Sequence, residues 1–524
     1  MKMKKLIMKI VAALILLTLF PTQIKIVSAA PFKSTFSTAS DIEHVIAGTI
    51  PISDDGYIQF GYLGRSDYFS IAFILKFDSK GKILWNKTFR GAKKENPMER
   101  AYFTAVTELE DKTLIAAGTA GSDLFVVKFT ASGDILWQKA YNKPDARGAL
   151  GIGACDITEK ESSIEIVGQV CGGGKHGQFF FLNIDTNGTI KGENIVGSYS
   201  NDSTIKHTSD GGYITLVSRL GSIWYGDLSK FDENRNREWT ATIGNYLLWP
   251  AIDEVSDGFI LVFPNYNKEK VLNALKFSES GEIIYKKLLA DIRTKDGTSV
   301  SNLPKSTTES SNLGSYIGLH DGSTTYAGVI IGLSPEGTLT STLALGNILA
   351  ASIIDDEGEL VVSSPGMFQK LNPSSKGSVN IKSFTEIPYD VTVTIGEAPK
   401  DDPNNLVPTD ASIYNTFSAP NDVNYYNDKI VGFTQTGVTV DTSNKIYASA
   451  KSLSAIKGKT VQVKIYMNVD GVKKNVTSEC TFKVSNKSMI SVSKSGIIKG
   501  LKKGACKLTV MRKGKTIKIS VTVK

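Results

Sequence analysis

Cleaving a polysaccharide needs two carboxyl groups across one bond, one to donate a proton and one to accept it or attack. In this 524-residue chain Asp67, Asp202 and Asp253 stand in or near loops where such groups could meet, though spacing alone brings no two of them together. Binding a sugar or peptide asks for exposed, convergent aromatic faces instead. Tyr68, Trp224, Tyr225, Tyr246, Trp249 and Tyr266 fall in the same class of loop and are the candidate ligand-binding residues. Each also suits packing, so only their convergence would make a site.

Other chemistries lack their residues. The chain has no GxSxG elbow, no HExxH and no CxxC, and its four histidines, His44, His176, His207 and His320, are scattered. Gly172-Gly173-Gly174-Lys175 lacks the leading glycine and the trailing Ser or Thr of a phosphate loop, because Gln169 and His176 stand there. Asp185-Thr186-Asn187-Gly188 and Asp232-Glu233-Asn234 lack the terminal Glu of a calcium loop and read as turns. No catalytic residue, metal or cofactor is expected. The four cysteines, Cys155, Cys171, Cys480 and Cys506, permit disulfides 155–171 and 480–506, or four buried thiols; both readings stand.

The elements that must position these residues come from a repeat. Lys76-Phe77-Asp78-Ser79-Lys80-Gly81 is followed by Trp85, and the pattern returns as Lys128-Phe129, Gly133 and Trp137, as Ile184-Asp185 and Gly188, and as Lys230-Phe231-Asp232 and Trp239. Later copies are Lys276-Phe277, Gly281 and Tyr285, then Leu333 and Gly337, then Leu371 and Gly377, at spacings of 52, 55, 47, 46, 56 and 38 residues. About 40–50 residues is the length of a four-stranded propeller blade. Asp- and Gly-bearing turns such as Asp54-Asp55-Gly56 and Asp210-Gly211-Gly212 split each repeat into short apolar strands. The expected fold class is all-β: a seven-bladed β-propeller over 41–386, followed by an Ig-like β-sandwich. Arg235 replaces the hairpin glycine in the fourth copy, and the seventh is short, so six or eight blades also stand. Trp85, Trp137 and Trp239 share one register and are expected to pack between blades. The repeat resembles quinoprotein-type propeller repeats in its Gly hairpin before Trp; the likeness concerns the scaffold and matches no cofactor-contacting residue.

The flanking segments differ. Lys2, Lys4, Lys5 and Lys9, the apolar run Ile10 to Phe20, and Val27-Ser28-Ala29 before Ala30 read as a secretory signal, 1–29. Residues 387–445, with Ala398-Pro399 to Asn405, read as a linker or an unassigned β segment, partly packed through Tyr414, Phe417, Tyr425 and Tyr426. In 446–524, Phe482-Lys483-Val484-Ser485-Asn486, Ile490-Ser491-Val492-Ser493-Lys494-Ser495-Gly496-Ile497-Ile498 and Gly504-Ala505-Cys506-Lys507-Leu508-Thr509-Val510 resemble the bacterial Ig-like group 2 (BIG2) domain, with Phe482 where that family usually has Trp. The resemblance implies a surface or adhesion β-sandwich without catalytic residues.

Charge divides the chain. Of the net +8, residues 446–524 carry +16, with 18 Lys or Arg against Asp470 and Glu479, and 1–29 carry +5, which leaves −13 between. The basic module suits anionic cell-wall polymer or a membrane surface, or is a solvated lysine-rich face. Nucleic acid is not an expected partner of an exported chain without a binding motif. The reading is a secreted or wall-associated binding or adhesion protein whose propeller recognises a glycan or protein. The alternative is a secreted polysaccharide hydrolase or lyase.

Overall fold

The computed structural model describes residues 32–38, 44–65, 69–90, 100–142, 151–161, 163–172, 175–199, 203–219, 225–244, 250–255, 257–264, 271–294, 303–310, 314–320, 329–344, 351–354, 360–364, 367–371, 379–386, 391–395, 421–422, 433–440, 446–450, 452–469, 472–512 and 515–524. Among them the one helical element is a single turn, Thr477–Glu479, and no helix is long and apolar enough to cross a membrane.

Seven antiparallel sheets follow one another along the chain. Sheet 1 is His44–Pro51, Tyr57–Arg65, Phe69–Phe77 and Ile83–Phe89; sheet 2 is Ala101–Glu108, Leu114–Ala120, Asp123–Phe129 and Ile135–Tyr141. Sheet 3 is Gly151–Lys160, Ser163–Gly172, Lys175–Ile184 and Ile190–Tyr199; sheet 4 is Ser203–His207, Tyr213–Arg219, Tyr225–Phe231 and Arg237–Ile243. Sheet 5 is Ala251–Val255, Gly258–Pro264, Val271–Phe277 and Ile283–Thr294; sheet 6 is Leu303–Ser310, Gly314–His320, Val329–Leu333 and Leu339–Ala344. Sheet 7 is Ala351–Ile354, Leu360–Ser364 and Met367–Leu371, completed by Phe32–Thr38 from the start of the chain. First strands of neighbouring sheets touch from sheet 1 to 4, from 5 to 7, and from 7 back to 1, while Lys206 of sheet 4 bonds the Ile252 carbonyl of sheet 5. Apolar cores lie between sheets, face to face, as in the cluster of Ile58, Phe60 and Ile74 with Phe103, Leu114 and Phe125. Four-stranded sheets stacked face to face around a ring of first strands make a β-propeller.

The repeated residues are the stacking device. In sheet 1 the third-to-fourth hairpin closes with Asp78 N–H on the Lys82 carbonyl and Gly81 N–H on the Asp78 carbonyl, and Gly81 has φ +81°. Trp85 then reaches the next hairpin and donates to the Ala131 carbonyl at 3.1 Å, the same oxygen that accepts Lys76 Nζ at 2.9 Å. Trp137 donates to Thr186 O and Trp239 to Glu279 O in the same way. The Trp85 and Trp239 rings lie under the glycine of the following hairpin, whereas Gly188 faces Lys139 and Tyr141. A Cβ on Gly133 would stand 2.9 Å from Trp85, and one on Gly281 would stand 2.7 Å from Trp239. Where sheet 3 has Gly192 in place of the Trp, the following hairpin carries Arg235 at φ +69°, its guanidinium 4.3 Å from the Phe181 ring. The lysine of the pattern is buried and pairs with the Asp of its own first turn: Lys128 with Asp111 at 3.2 Å, Lys230 with Asp210 at 2.7 Å, Lys276 with Asp257 at 2.6 Å, and Lys76 with Asp54. A buried ammonium needs such a partner, so the Lys-Phe and Asp-Gly signatures are two halves of one clamp.

Two expectations need correction. Val379–Glu386, read as the last strand of the seventh blade, pairs instead with Ile283–Thr294 of sheet 5, because Phe32–Thr38 already fills that slot. The propeller thus begins before residue 41. The 387–445 segment also supplies edge strands: Val391–Ile395 joins sheet 4, Asn421–Asp422 joins sheet 2, and Phe433–Val440 lies outside Phe32–Thr38 on sheet 7. Gln435 Nε2 bonds Ser34 Oγ at 3.0 Å and the Gly81 carbonyl at 2.9 Å, which ties this last strand to sheet 1.

Residues 446–524 form three small sheets on one apolar core of Ile465, Ile498, Leu508, Val510, Ile519 and Val521. Ser452–Ala455 runs parallel to Lys515–Val523, which pairs with Gly504–Arg512 and through it with Thr481–Val484. The disulfide 480–506 does not form: both thiols are free and buried. The register sets Thr481 opposite Met511 and Val484 opposite Leu508, so Cys480 and Cys506 lie far apart along the ladder. The 155–171 pair meets the same obstacle. Gly151 stands opposite Cys171 while Cys155 bulges out beside Gly168, about 13 Å along the strand against the roughly 7 Å that a disulfide spans.

Candidate functional site

First strands of propeller sheets line the axis, and most of their described residues are small or apolar. Ala47, Gly48, Thr104 and Ala105 hold such places in sheets 1 and 2. Sheets 3 to 5 break the pattern with Asp156, Lys206, His207 and Asp253. Lys206 Nζ reaches across to sheet 5, 2.8 Å from the Ile252 carbonyl and 3.5 Å from Asp253 Oδ1. Thr104 makes the equivalent bond from sheet 2 to the Ala154 carbonyl at 2.7 Å, so a charged residue has taken over a structural link in sheet 4. Lys206 and Asp253 keep 37 % and 33 % of their side-chain surface exposed, on first strands, which in a propeller border the central channel.

Behind Lys206 lies a hydrogen-bonded relay. His207 Nδ1 is 3.2 Å from Asp156 Oδ2, and His207 Nε2 is 3.0 Å from Glu165 Oε2. The His207 backbone N–H also donates to Asp156 at 2.9 Å. Glu165 Oε2 further accepts Tyr213 Oη–H at 2.8 Å and pairs with Lys160 Nζ at 2.7 Å. Burial would raise the Glu165 pKa, but His207, Lys160 and Tyr213 outweigh it and hold the carboxyl at about 2. Burial would lower the His207 pKa, and the bonds to Asp156 and Glu165 carry it above its ordinary value. Both ring nitrogens face carboxylates, so the ring suits the imidazolium form.

At the wall, enclosure raises the Asp253 pKa, with Lys206 pulling the other way and Asp156 adding to the rise. Enclosure pushes Lys206 down, yet Asp253 and Asp156 leave its pKa raised. The result is an ammonium flanked by two carboxylates, one of them easier to protonate than a free Asp. Such a wall can bond hydroxyls or amides from both sides, and Asp253 takes up a proton more readily than a free Asp. Among the described residues no group of three or more His, Cys, Asp or Glu could hold a metal ion.

The aromatic candidates Tyr68, Trp224, Tyr246, Trp249 and Tyr266 lie outside the described residues, as do Asp67 and Asp202. Of Tyr225 the backbone is described, paired with Arg219 at the end of the second and third strands of sheet 4. Asp253, expected in or near a loop, lies instead in the middle of the first strand of sheet 5, paired with Ile260. Lys206, Asp156 and the Glu165–His207 relay were not anticipated from sequence. The available signal was a charged pair, Lys206-His207, inside a five-residue first strand.

No family model and no curated protein matches the chain. Solved structures similar to it include Drosophila Plexin A in complex with Semaphorin 1b, at 11 % identity over 64 % of this chain and 88 % of that one, with a TM-score of 0.33. A member of the DUF4221 family from Bacteroides vulgatus matches at 11 % identity over 69 % of this chain and 100 % of its own, TM-score 0.32. Synechocystis apocarotenoid oxygenase matches at 12 % identity over 70 % and 96 %, TM-score 0.35. At these TM-scores the likenesses carry no argument about function; the propeller rests on this chain's own strand pairing.

Proposed function

We propose that the protein is an exported binding protein. In this reading the seven sheets close as a seven-bladed head that recognises a glycan or protein at its axis, and residues 446–524, as a bacterial Ig-like module, hold it to the cell envelope. The observation that supports the reading is the charged wall of Asp156, Lys206 and Asp253, set where sheets 1 and 2 use small residues. Half-burying Lys206 and Asp253 costs desolvation energy that the small residues in sheets 1 and 2 do not incur. A ligand rich in hydroxyls or amides would recover it by bonding both charge signs at once. The test is binding of residues 30–524 to a glycan array and to purified cell-surface proteins. The double variant Lys206→Met/Asp253→Leu should lose at least tenfold in affinity, one such charge-assisted bond being worth about 1.5–3 kcal/mol. Unchanged binding by that variant would remove the channel from the reading.

The raised pKa of Asp253 beside Asp156 favours a second reading, a polysaccharide hydrolase or lyase with Asp253 as general acid. Release of new chain ends from a polysaccharide, abolished by Asp253→Asn, would establish it in place of the first.

A further inference from the structure

The inference rests on the envelope-holding role of residues 446–524 and names the surface and the partner. At one end of this module three segments are stitched together. Lys457 bridges Gly500 and donates its N–H to the Lys524 carbonyl at 3.1 Å, and Lys524 N–H bonds Ala455 O at 2.9 Å. Gly458 N–H bonds Gly500 O at 2.8 Å, and Leu501 N–H bonds Met489 O at 2.7 Å. The turns at 456–459 and 500–503 therefore share one end of the domain. Ile456 projects from the first, 64 % exposed, and Leu501 from the second, 39 % exposed. Lys457, Lys459, Lys502 and Lys503, all exposed, surround them, and among the described residues none of the four forms an ion pair.

The module's acids are Asp470 and Glu479 alone. Glu479 is engaged by Arg512 Nε at 3.2 Å, at the hairpin where Arg512 pairs with Lys515. That hairpin is the far end of the Lys515–Val523 strand, about 26 Å from the Ile456 end at 3.3 Å per residue. Among the described residues this pole of the module holds no Asp or Glu; it is basic and tipped with two large apolar side chains.

We propose that this pole docks on an anionic lipid surface, with Ile456 and Leu501 entering the headgroup region and the four lysines at the level of the phosphates. A phosphate polymer would satisfy the lysines and leave the apolar tips in water; an anionic bilayer satisfies both, since lysine attraction and apolar insertion add. The lysine stems can lie along the interface while their ammonium groups reach the phosphates.

The experiment is co-sedimentation of residues 30–524 with vesicles of phosphatidylglycerol and phosphatidylcholine in equal parts. Vesicles of phosphatidylcholine alone serve as a second arm, and soluble polyphosphate as a competitor. Binding to the anionic vesicles only is expected. Ile456→Ser/Leu501→Ser should weaken it about tenfold while leaving polyphosphate binding unchanged. The quadruple lysine-to-glutamine variant at 457, 459, 502 and 503 should lose both. These residues are exposed, so the unfolding transition should not move, which separates lost docking from lost folding. Vesicle binding unaffected by the Ile456/Leu501 change would overturn the proposal. So would binding to polyphosphate or purified wall polymer without vesicle binding, a result that keeps envelope attachment. Binding to none of them would overturn both.

Discussion

His44 should make the closure of the propeller sensitive to acid. It lies on the first strand of sheet 1, 4 % exposed, its ring 4.9 Å from Phe73 and 5.9 Å from Phe36 on the closing strand. Burial lowers its pKa from 6.5 to about 3. The folded protein therefore keeps the ring neutral over a range in which the unfolded chain takes up a proton. Above pH 6.5 neither state is protonated and stability is unaffected; as pH falls below 6.5 the unfolded state gains. At pH 5 the difference is one and a half pH units at 1.36 kcal/mol each, about 2 kcal/mol, and it approaches about 5 kcal/mol near pH 3. Unfolding by denaturant at pH 7 and pH 5 measures it, in the wild type and in His44→Leu. The five tryptophans all precede residue 250, so their fluorescence reports on the propeller and not on 446–524. Other titrating groups are common to both proteins and cancel in the comparison. Between pH 7 and pH 5 the wild type should lose about 2 kcal/mol more than His44→Leu. Parallel losses in the two proteins would refute the reasoning.

Two further predictions follow from the packing. Gly281→Ala should cost about 3 kcal/mol, because its φ of +86° is unfavourable for alanine and the new Cβ would meet Trp239 at 2.7 Å; Gly121→Ala, at φ +65° with nothing within 4 Å, should cost about 1 kcal/mol in the same denaturation assay. Equal costs would mean that the Trp-under-Gly contact does not hold the sheets together. Denaturing the purified protein without reductant and treating it with iodoacetamide should alkylate Cys480 and Cys506 fully by mass spectrometry, whereas a 480–506 peptide pair resistant until reduction would contradict the ladder register.

Much of the architecture was readable from the repeat because its signature residues are contacts rather than decoration. Lys76 and Asp54 recur because one neutralises the other in the core, and Trp85 recurs with Gly133 because a ring can lie against a hairpin only where no Cβ intervenes. The pairing of Gly192 with Arg235 obeys the same rule in reverse and could have been read in advance. The partner of Phe32–Thr38 could not, because nothing local marks a strand whose neighbours lie hundreds of residues away. The edge strands at 391–395 and 433–440 escaped for the same reason. At the site, Asp253 was singled out as a carboxylate but assigned to a loop rather than to its strand, and Lys206, His207 and Glu165 come together only when sheets 3, 4 and 5 are stacked.

The closing strand also imposes an order of events. Thr35 faces Met367, 332 residues further on, and Thr38 faces Phe433. A chain that emerges N-terminus first therefore holds its first strand unpaired until the inner partner follows, and longer until the outer one does. Throughout that interval sheets 1 to 6 can stack in turn, but the arc they form has an open face at each end, with Phe73 and Phe77 uncovered on the leading one. The molecule is therefore most exposed to aggregation late in assembly, when it is nearly complete. Any lesion that delays residues 351–440 lengthens the exposure of a surface made at the start.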